Sequence, residues 1–172
     1  MYSYFVLSRL TIVYLSLTTG LMEKYLPYAV LFLRIALAFT ILAFVADKLG
    51  YLGQPGTSGI LWADWDMYIK KLQAALPYIP KGISEKLAIA ATLLETILAL
   101  MLLFGVKVRW AAIGTGIYTL LLAIVVGYAI SVIAVLNYGL LAVSAAAFLL
   151  ACCPIYKFTR HGIKKRSTYH PY

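Results

Sequence analysis

The chain has 172 residues, of which 63% are hydrophobic and only 12% are charged, whereas soluble domains are roughly 45–50% apolar and about 25% charged. A soluble protein of this size could not bury so much apolar surface, so the composition excludes a water-soluble domain and indicates one unit within a lipid bilayer. The net charge of +9 would suit nucleic acid, but the basic residues lie mainly between and after long apolar runs. That distribution is typical of topogenic charge, so we expect no nucleic-acid partner.

The first apolar segment allows two interpretations. Residues 4–22 are long enough to span a bilayer, but they include Arg9 and several hydroxyl side chains. An arginine at the centre of a membrane helix costs roughly 2.5–3.5 kcal/mol. Residues 1–27 are therefore predicted to form either an interfacial amphipathic helix or a fifth span.

Four further apolar runs are long enough to cross a bilayer, which takes about 20 residues. They lie at about 28–49, 87–104, 110–135 and 138–155, with boundaries at Pro27, Gly105 and the pair Leu136-Asn137. The sequence therefore predicts an all-α fold, a polytopic transmembrane four-helix bundle over residues 28–156. Residues 157–172 form a basic tail that is expected to attract anionic lipid.

The basic residues predict the orientation of the bundle. Lys107 and Arg109, between the second and third spans, lie on the same side of the last two spans as the basic tail. Cytoplasmic loops carry an excess of lysine and arginine. We therefore expect a multi-pass protein of the cell membrane with a cytoplasmic C-terminus, and with the connection 50–86 outside.

The outer connection contains a helical pattern of its own. Its apolar residues recur at helical spacing until Pro77 and Pro80, namely Trp62, Trp65, Ile69, Leu72 and Leu76. This pattern predicts a short amphipathic helix on the outer membrane surface. Its tryptophans fit an aromatic belt that anchors the helix, and a ligand cage is the alternative interpretation.

Ligands for redox cofactors are scarce in the sequence. The two histidines, His161 and His170, lie in the polar tail, which excludes a haem held between two helices. Cys152 and Cys153 are adjacent, fit small packing residues, and cannot supply the four thiolates of an iron–sulfur or zinc site. We expect no covalently bound cofactor, no haem, no iron–sulfur cluster and no metal.

Three ionisable residues are predicted to lie inside or at the edge of the membrane. Arg34 lies about 9 Å inside the first span, and Glu95 lies about 12 Å from the outer face in the second. Lys48 follows Arg34 by fourteen positions, close to four helical turns, so both occupy nearly one face of the first helix. An antiparallel second helix would place Glu95 between them.

The three ionisable residues allow two interpretations. The charges could simply fix the register of the helices. Alternatively, Glu95 is a proton acceptor or headgroup contact beside a quinone, because quinone reduction needs a proton donor and a hydrogen-bond partner. In that case Arg34, Lys48, Trp62 and Trp65 are the candidate substrate contacts.

Between about residues 28 and 152 the chain resembles the DoxX-like and DoxD-like membrane proteins. The matching stretches are Leu33-Arg34-Ile35-Ala36-Leu37-Ala38, Ala46-Asp47-Lys48-Leu49-Gly50, Leu52-Gly53-Gln54-Pro55-Gly56, Leu61-Trp62-Ala63-Asp64-Trp65, Ala91-Thr92-Leu93-Leu94-Glu95, Leu102-Leu103-Phe104-Gly105 and Asn137-Tyr138. The resemblance implies a four-helix membrane protein of a redox system. In its DoxD branch this is the membrane subunit of a thiosulfate:quinone oxidoreductase.

Two functional hypotheses follow, and whether the protein is an enzyme stays open between them. In the first it is a quinone-linked redox protein that works with another redox subunit or a second copy, because no electron carrier is visible in the chain. In the second it is a non-catalytic scaffold or assembly subunit of a membrane redox complex. A small transporter is a third, weaker hypothesis, because no inverted repeat is visible.

Overall fold

The computed structural model describes residues 2–54, 57, 59–153 and 156, with side chains from residue 24 onward. Every regular element in these ranges is an α-helix: α1 Tyr2–Lys48, α2 Trp65–Ala75, α3 Lys81–Phe104, α4 Val108–Ala129, α5 Val132–Asn137 and α6 Leu140–Cys152. The prediction of an all-α membrane bundle is confirmed. The basic tail 157–172 lies outside the described residues.

Helix α1 is continuous from Tyr2 to Lys48 and runs through Pro27. The prediction that Pro27 opens the first helix is therefore wrong. A proline inside a helix removes one hydrogen bond, but leaving the helix within a bilayer would leave more backbone groups without partners. The part of α1 from Lys24 to Lys48 is long and apolar enough to span a membrane. Whether the residues before it span as well stays a prediction.

Helices α3 and α4 are the other two candidate spans in the described part of the chain. Helix α3 begins at Lys81, six residues before the predicted start of the span at residue 87. Pro80 lies directly before its first turn and marks this boundary. It ends at Phe104, and Gly105 follows in the left-handed conformation with a φ of 71°, as expected for a glycine that ends a helix.

The prediction of one long third span over residues 110–135 is wrong, because α4 ends at Ala129 and α5 begins at Val132. Ser131 lies between them with extended backbone, and its hydroxyl accepts the N–H of Ala134 at 3.1 Å. Serine in this position starts a new helix, because its side chain satisfies a backbone donor of the first turn. The cap at Ser131 therefore starts a new helix at Val132, although the apolar pattern by itself predicts one continuous helix.

The predicted fourth span is shorter than the run of apolar residues suggested. Helix α6 has 13 residues, about 20 Å of helix, against about 30 Å for the hydrocarbon core. Gly139, with a φ of 63°, joins it to α5. The bundle therefore consists of three long apolar helices and a shorter pair at its C-terminal side.

The buried side chains form two clusters in different parts of the bundle. Helix α1 packs on α3, α3 on α4 and α4 on α6, while α2 lies across α3 and α4. We call the part that carries α2 the α2 end; its cluster includes Trp62, Tyr68 and Leu140. The cluster of the opposite end includes Leu37, Leu102 and Leu150.

The predicted amphipathic helix of the outer connection exists, but it begins at Trp65. Asp64 caps it by accepting the N–H of Met67 at 2.7 Å, so Trp62 precedes the helix. Its apolar face, with Ile69 and Leu72, is buried against α3 and α4. The apolar face of α2 therefore packs on the bundle, and the position of the helix at the outer membrane surface stays a prediction.

Candidate functional site: a buried ion pair behind an aromatic wall

A buried ion pair lies at the centre of the α2 end. The Lys48 Nζ donates a hydrogen bond to Glu95 Oε2 over 2.5 Å, and the two side chains are 0% and 1% exposed. Lys48 is the last residue of α1 and Glu95 lies within α3, so the packing of these two helices brings the charges together. A buried charge costs several kcal/mol unless it is paired, and each residue supplies the partner of the other.

Three aromatic rings surround the ammonium group of Lys48. Its Nζ lies 4.8 Å from the ring centre of Tyr68 and 6.0 Å from those of Trp62 and Tyr118, within the range of cation–π attraction. Trp62 meets Tyr68 edge-on, with 4.8 Å between ring centres. We call these three rings the aromatic cage. The cation that it surrounds is the protein's own lysine.

Asp47 holds Trp62 in position. Its buried carboxylate accepts the backbone N–H groups of Leu61 at 2.9 Å, Trp62 at 2.9 Å and Ala63 at 3.1 Å. Successive residues of a helix point about 100° apart, so Asp47 faces this loop while the adjacent Lys48 faces α3. The last turn of α1 thus positions both the charge and one ring of the cage.

Two further hydrogen bonds hold the same loop from other elements. The Lys71 ammonium of α2 donates to the carbonyl of Leu61 and lies 5.7 Å from the Trp62 ring centre. The Tyr138 hydroxyl, between α5 and α6, donates to the carbonyl of Ile60 at 2.9 Å. Burial, and then the charge of Asp47, raises the pKa of Tyr138, which keeps its phenol protonated as a donor.

An apolar cavity of about 350 Å³ lies beside the aromatic cage, between α2, α3 and α4. The three cage rings form part of its wall, and aliphatic side chains form the rest: Leu72, Leu76, Leu87, Ala91, Leu121, Leu122, Ile124 and Val125. Leu121 and Ile124 are 56% and 63% exposed on the outside of the bundle, so the cavity adjoins the lipid. The ion pair does not line the cavity; the rings stand between them.

One polar group in the cavity wall lacks a partner. The indole N–H of Trp62 is buried and makes no hydrogen bond within the described part of the chain. An unsatisfied buried donor costs about 1–3 kcal/mol. That N–H is enclosed within the wall, so the surface that the cavity offers to a ligand is almost entirely apolar and suits an apolar molecule.

The two phenols of the cage have different partners. The Tyr118 hydroxyl is within hydrogen-bonding reach of the Glu95 carboxylate, and the Tyr68 hydroxyl is within reach of Thr92. The Thr92 hydroxyl in turn donates to the carbonyl of Ala88 at 2.9 Å. Burial, and then the charge of Glu95, raises the pKa of Tyr68, so this phenol stays protonated.

Comparison with known families identifies the chain. The family model described as DoxX matches residues 29–129, more than half of the sequence. The chain belongs to the DoxX family. The matched segment includes the ion pair and all three rings of the aromatic cage. No curated protein and no solved structure matches the chain.

The structure of this DoxX protein brings together some of the residues singled out from sequence and separates others. Lys48, Glu95 and Trp62 meet at the α2 end. Trp65 is not part of the aromatic cage. Its ring centre lies 5.6 Å from that of Tyr68, and it does not line the cavity beside the cage. Trp62 is 2% exposed and faces the protein's own Lys48, and whether a ligand also contacts its ring stays a prediction.

Arg34 belongs to another part of the DoxX bundle. It is buried and lies fourteen residues before Lys48, about 21 Å along α1. Because Glu95 is paired directly with Lys48, it cannot also contact Arg34 over that distance. Of the two basic side chains, Glu95 therefore pairs with Lys48, because the packing of α3 on α1 brings Glu95 to the end of α1.

Sequence reasoning missed three residues of this site. Tyr68 follows Trp65 by three positions and so lies on the apolar stripe of α2, which was a usable signal. Asp47 was named only within the stretch Ala46-Asp47-Lys48-Leu49-Gly50, which carries the family resemblance. Tyr118 had no signal, because its contact with Glu95 depends on the register of α4 against α3.

Metal-binding side chains do not cluster in the described part of the DoxX chain. No group of three histidine, cysteine, aspartate or glutamate residues there is arranged to hold a metal ion. Cys152 and Cys153 are free thiols. The chemistry available at the α2 end is therefore that of the ion pair, the phenols and the indole.

Proposed function

We propose that this DoxX protein binds a quinone in the apolar cavity and takes part in quinone-linked redox chemistry. The observation that carries the proposal is the position of the buried Lys48–Glu95 pair directly behind the aromatic wall of a cavity that adjoins lipid. An apolar cavity alone would suit any lipid tail. A charge pair and phenols at its wall suit a ligand whose oxygen atoms gain and lose protons.

The dimensions and chemistry of the cavity fit a quinone headgroup. Its volume of about 350 Å³ falls within the range of small-molecule sites. A planar quinone ring can pack against the three cage rings in the cavity wall. An isoprenoid tail would leave past Leu121 and Ile124 into the membrane.

The ion pair supplies the electrostatics that quinone reduction needs. Reduction adds two electrons and two protons, so negative charge develops on the quinone oxygens. In a site of low dielectric constant, the nearby ammonium of Lys48 stabilises that charge, while Glu95 exchanges a proton. Arg34 and Trp65, which do not line the cavity, are not required for this binding mode.

The electrons must come from a separate donor. Because the chain resembles the DoxD branch, we propose that the protein acts as the membrane subunit of a thiosulfate:quinone oxidoreductase, with a second redox subunit that binds at the α2 end. Thiosulfate is therefore the first donor to test.

The second candidate is a non-catalytic scaffold subunit. It is favoured by the complete burial of Lys48 and Glu95, since a pair enclosed in this way also fixes the register of α1 against α3. The two functions differ in whether the cavity has a ligand.

Quinone binding is tested with the purified protein in lipid nanodiscs, by titrating a short-tailed ubiquinone and following tryptophan fluorescence. We expect saturable quenching, and about fivefold weaker binding in Trp62→Leu, because the loss of one ring of the wall removes about 1 kcal/mol of ring packing. Trp110→Leu is the matched control, because Trp110 is 71% exposed at the start of α4. Absence of saturable binding would favour the scaffold.

Turnover is tested by thiosulfate-dependent quinone reduction in the same nanodiscs, with and without any protein that co-purifies. Glu95→Gln should lower the rate at least tenfold, because it removes a proton-exchanging group. Glu85→Gln, an exposed carboxylate on the same helix, should leave the rate unchanged. Equal rates in the two variants would remove Glu95 from the mechanism.

A further inference from the structure

We infer that the Tyr118 hydroxyl relays a proton between an oxygen of the bound quinone and the carboxylate of Glu95. This inference rests on the proposed quinone site, and it assigns a function to a residue that sequence reasoning did not single out.

Tyr118 is the side chain that connects the cavity to the ion pair. Its ring lies in the cavity wall, 6.0 Å from the Lys48 ammonium, and its hydroxyl is within hydrogen-bonding reach of Glu95. Neither Lys48 nor Glu95 lines the cavity. A proton that passes between the ligand and Glu95 therefore needs an intermediate group.

The other phenol of the cage is less suited to this task. Tyr68 also lines the cavity, but its hydroxyl is directed to Thr92, and the Thr92 hydroxyl donates to the carbonyl of Ala88. That chain ends on the backbone, where no group can hold the proton. The route through Tyr118 ends on an ionisable carboxylate.

The direction of the hydrogen bonds fits a relay. The Glu95 carboxylate, paired with Lys48, can only accept a hydrogen bond, so in a contact between the two side chains the Tyr118 O–H is the donor. Its phenol oxygen can then accept a proton from a ligand hydroxyl. The groups that face Tyr118 from the elements packed on it are Glu95 of α3, Lys48 of α1 and Tyr68 of α2.

The step itself moves one proton and no electron. When a quinol is oxidised, its O–H bond breaks and its proton passes to the Tyr118 oxygen, while the Tyr118 proton passes to Glu95. The quinol oxygen gains the negative charge that the carboxylate loses. In the reducing direction, the same two transfers run backward and protonate the reduced quinone. The redox partner exchanges the electrons separately.

Infrared difference spectroscopy tests the relay without an identified electron donor. The nanodisc protein with bound short-tailed ubiquinone is reduced and reoxidised electrochemically. We expect quinone bands together with a carboxyl band from Glu95, which disappears in Glu95→Gln. In Tyr118→Phe, which keeps the ring but loses the hydroxyl, the quinone bands should persist while the carboxyl band forms about a hundredfold more slowly.

Matched variants keep the outcomes distinct. Tyr128→Phe, on the same helix but 78% exposed, should behave like the parent protein. A carboxyl band that forms at the parent rate in Tyr118→Phe would overturn the relay and leave the quinone site standing. Absence of quinone bands in the parent protein would overturn the proposed function itself.

A second measurement covers the case in which Tyr118→Phe does not fold. Fluorotyrosine at position 118 keeps both ring and hydroxyl and changes the acidity of the phenol. The relay predicts that the pH profile of the carboxyl band then shifts in the direction of the altered acidity. An unshifted profile would overturn the relay.

Discussion

The two ends of the bundle are built from the same long helices but are packed differently. At the opposite end, alanines with no exposed surface allow the helices to approach closely: Ala38, Ala99, Ala112 and Ala147. At the α2 end, aromatic rings and three buried charged residues replace them, and a cavity of about 350 Å³ adjoins the rings. Close packing also holds α4 to α6, where a Cβ at Gly116 would lie 2.9 Å from the Phe148 ring.

This difference separates stability from the candidate site. Helices in lipid associate mainly through close van der Waals contact, which small residues permit. Large rings held by hydrogen bonds and charge attraction fill space less completely, so the α2 end has room for a ligand. The cluster of small residues therefore supports the bundle, and the aromatic cluster surrounds the candidate site.

The largest expected effect comes from breaking the ion pair. Lys48→Met leaves Glu95 buried without its partner and should lower the free energy of unfolding by about 3–5 kcal/mol. Adding Glu95→Leu should recover most of that loss, because no charge then remains buried. Both are measured by unfolding in mixed detergent micelles. Lys81→Met, an exposed lysine, is the control; a loss for Lys48→Met no greater than for this control would contradict the prediction.

Removing the Asp47 hydrogen bonds that support the aromatic cage should lower the free energy of unfolding somewhat less. Asp47→Ala deprives three backbone N–H groups of their acceptor and should lower the free energy of unfolding by about 3 kcal/mol. Amide hydrogen exchange at Leu61, Trp62 and Ala63 should become faster. Asp66→Ala, an exposed residue of α2, should change neither quantity. Unchanged exchange in Asp47→Ala would show that the other contacts suffice to hold the loop.

A matched pair of alanines tests the packing difference directly. Ala112→Val adds two methyl groups to the filled opposite end and should cost about 1–3 kcal/mol of unfolding free energy. Ala91→Val adds the same volume to the cavity wall and should cost less than about 1 kcal/mol, while it weakens binding of a short-tailed ubiquinone. Equal losses of unfolding free energy in Ala112→Val and Ala91→Val would contradict the proposed difference in packing between the two ends.

Much of the fold could be predicted from the sequence, because apolar runs in lipid have few alternatives to a helix. The runs predicted the all-α bundle, and Gly105 and Pro80 mark real helix boundaries. The errors occurred where a local side-chain effect opposed the apolar pattern. Ser131 divides the predicted third span by capping α5, and Pro27 fails to start a helix that already runs through it.

The candidate site could be predicted only in part. The cost of burying charge in a membrane singled out Lys48 and Glu95 and required a partner for each. Nothing in the sequence decided which of Arg34 and Lys48 is the partner of Glu95, because both lie on nearly one face of α1. The register of α3 against α1 decided it.

The sequence by itself determined that this protein lies in a membrane, that it is helical, and that its buried charges need partners, because these follow from composition and from the energetics of the bilayer. Only the tertiary structure decided that Trp62 and Tyr68 turn inward around Lys48, and that Tyr118 stands between Glu95 and a cavity. Those contacts join residues of α1, α2, α3 and α4, so they depend on how the helices pack, which no local pattern encodes.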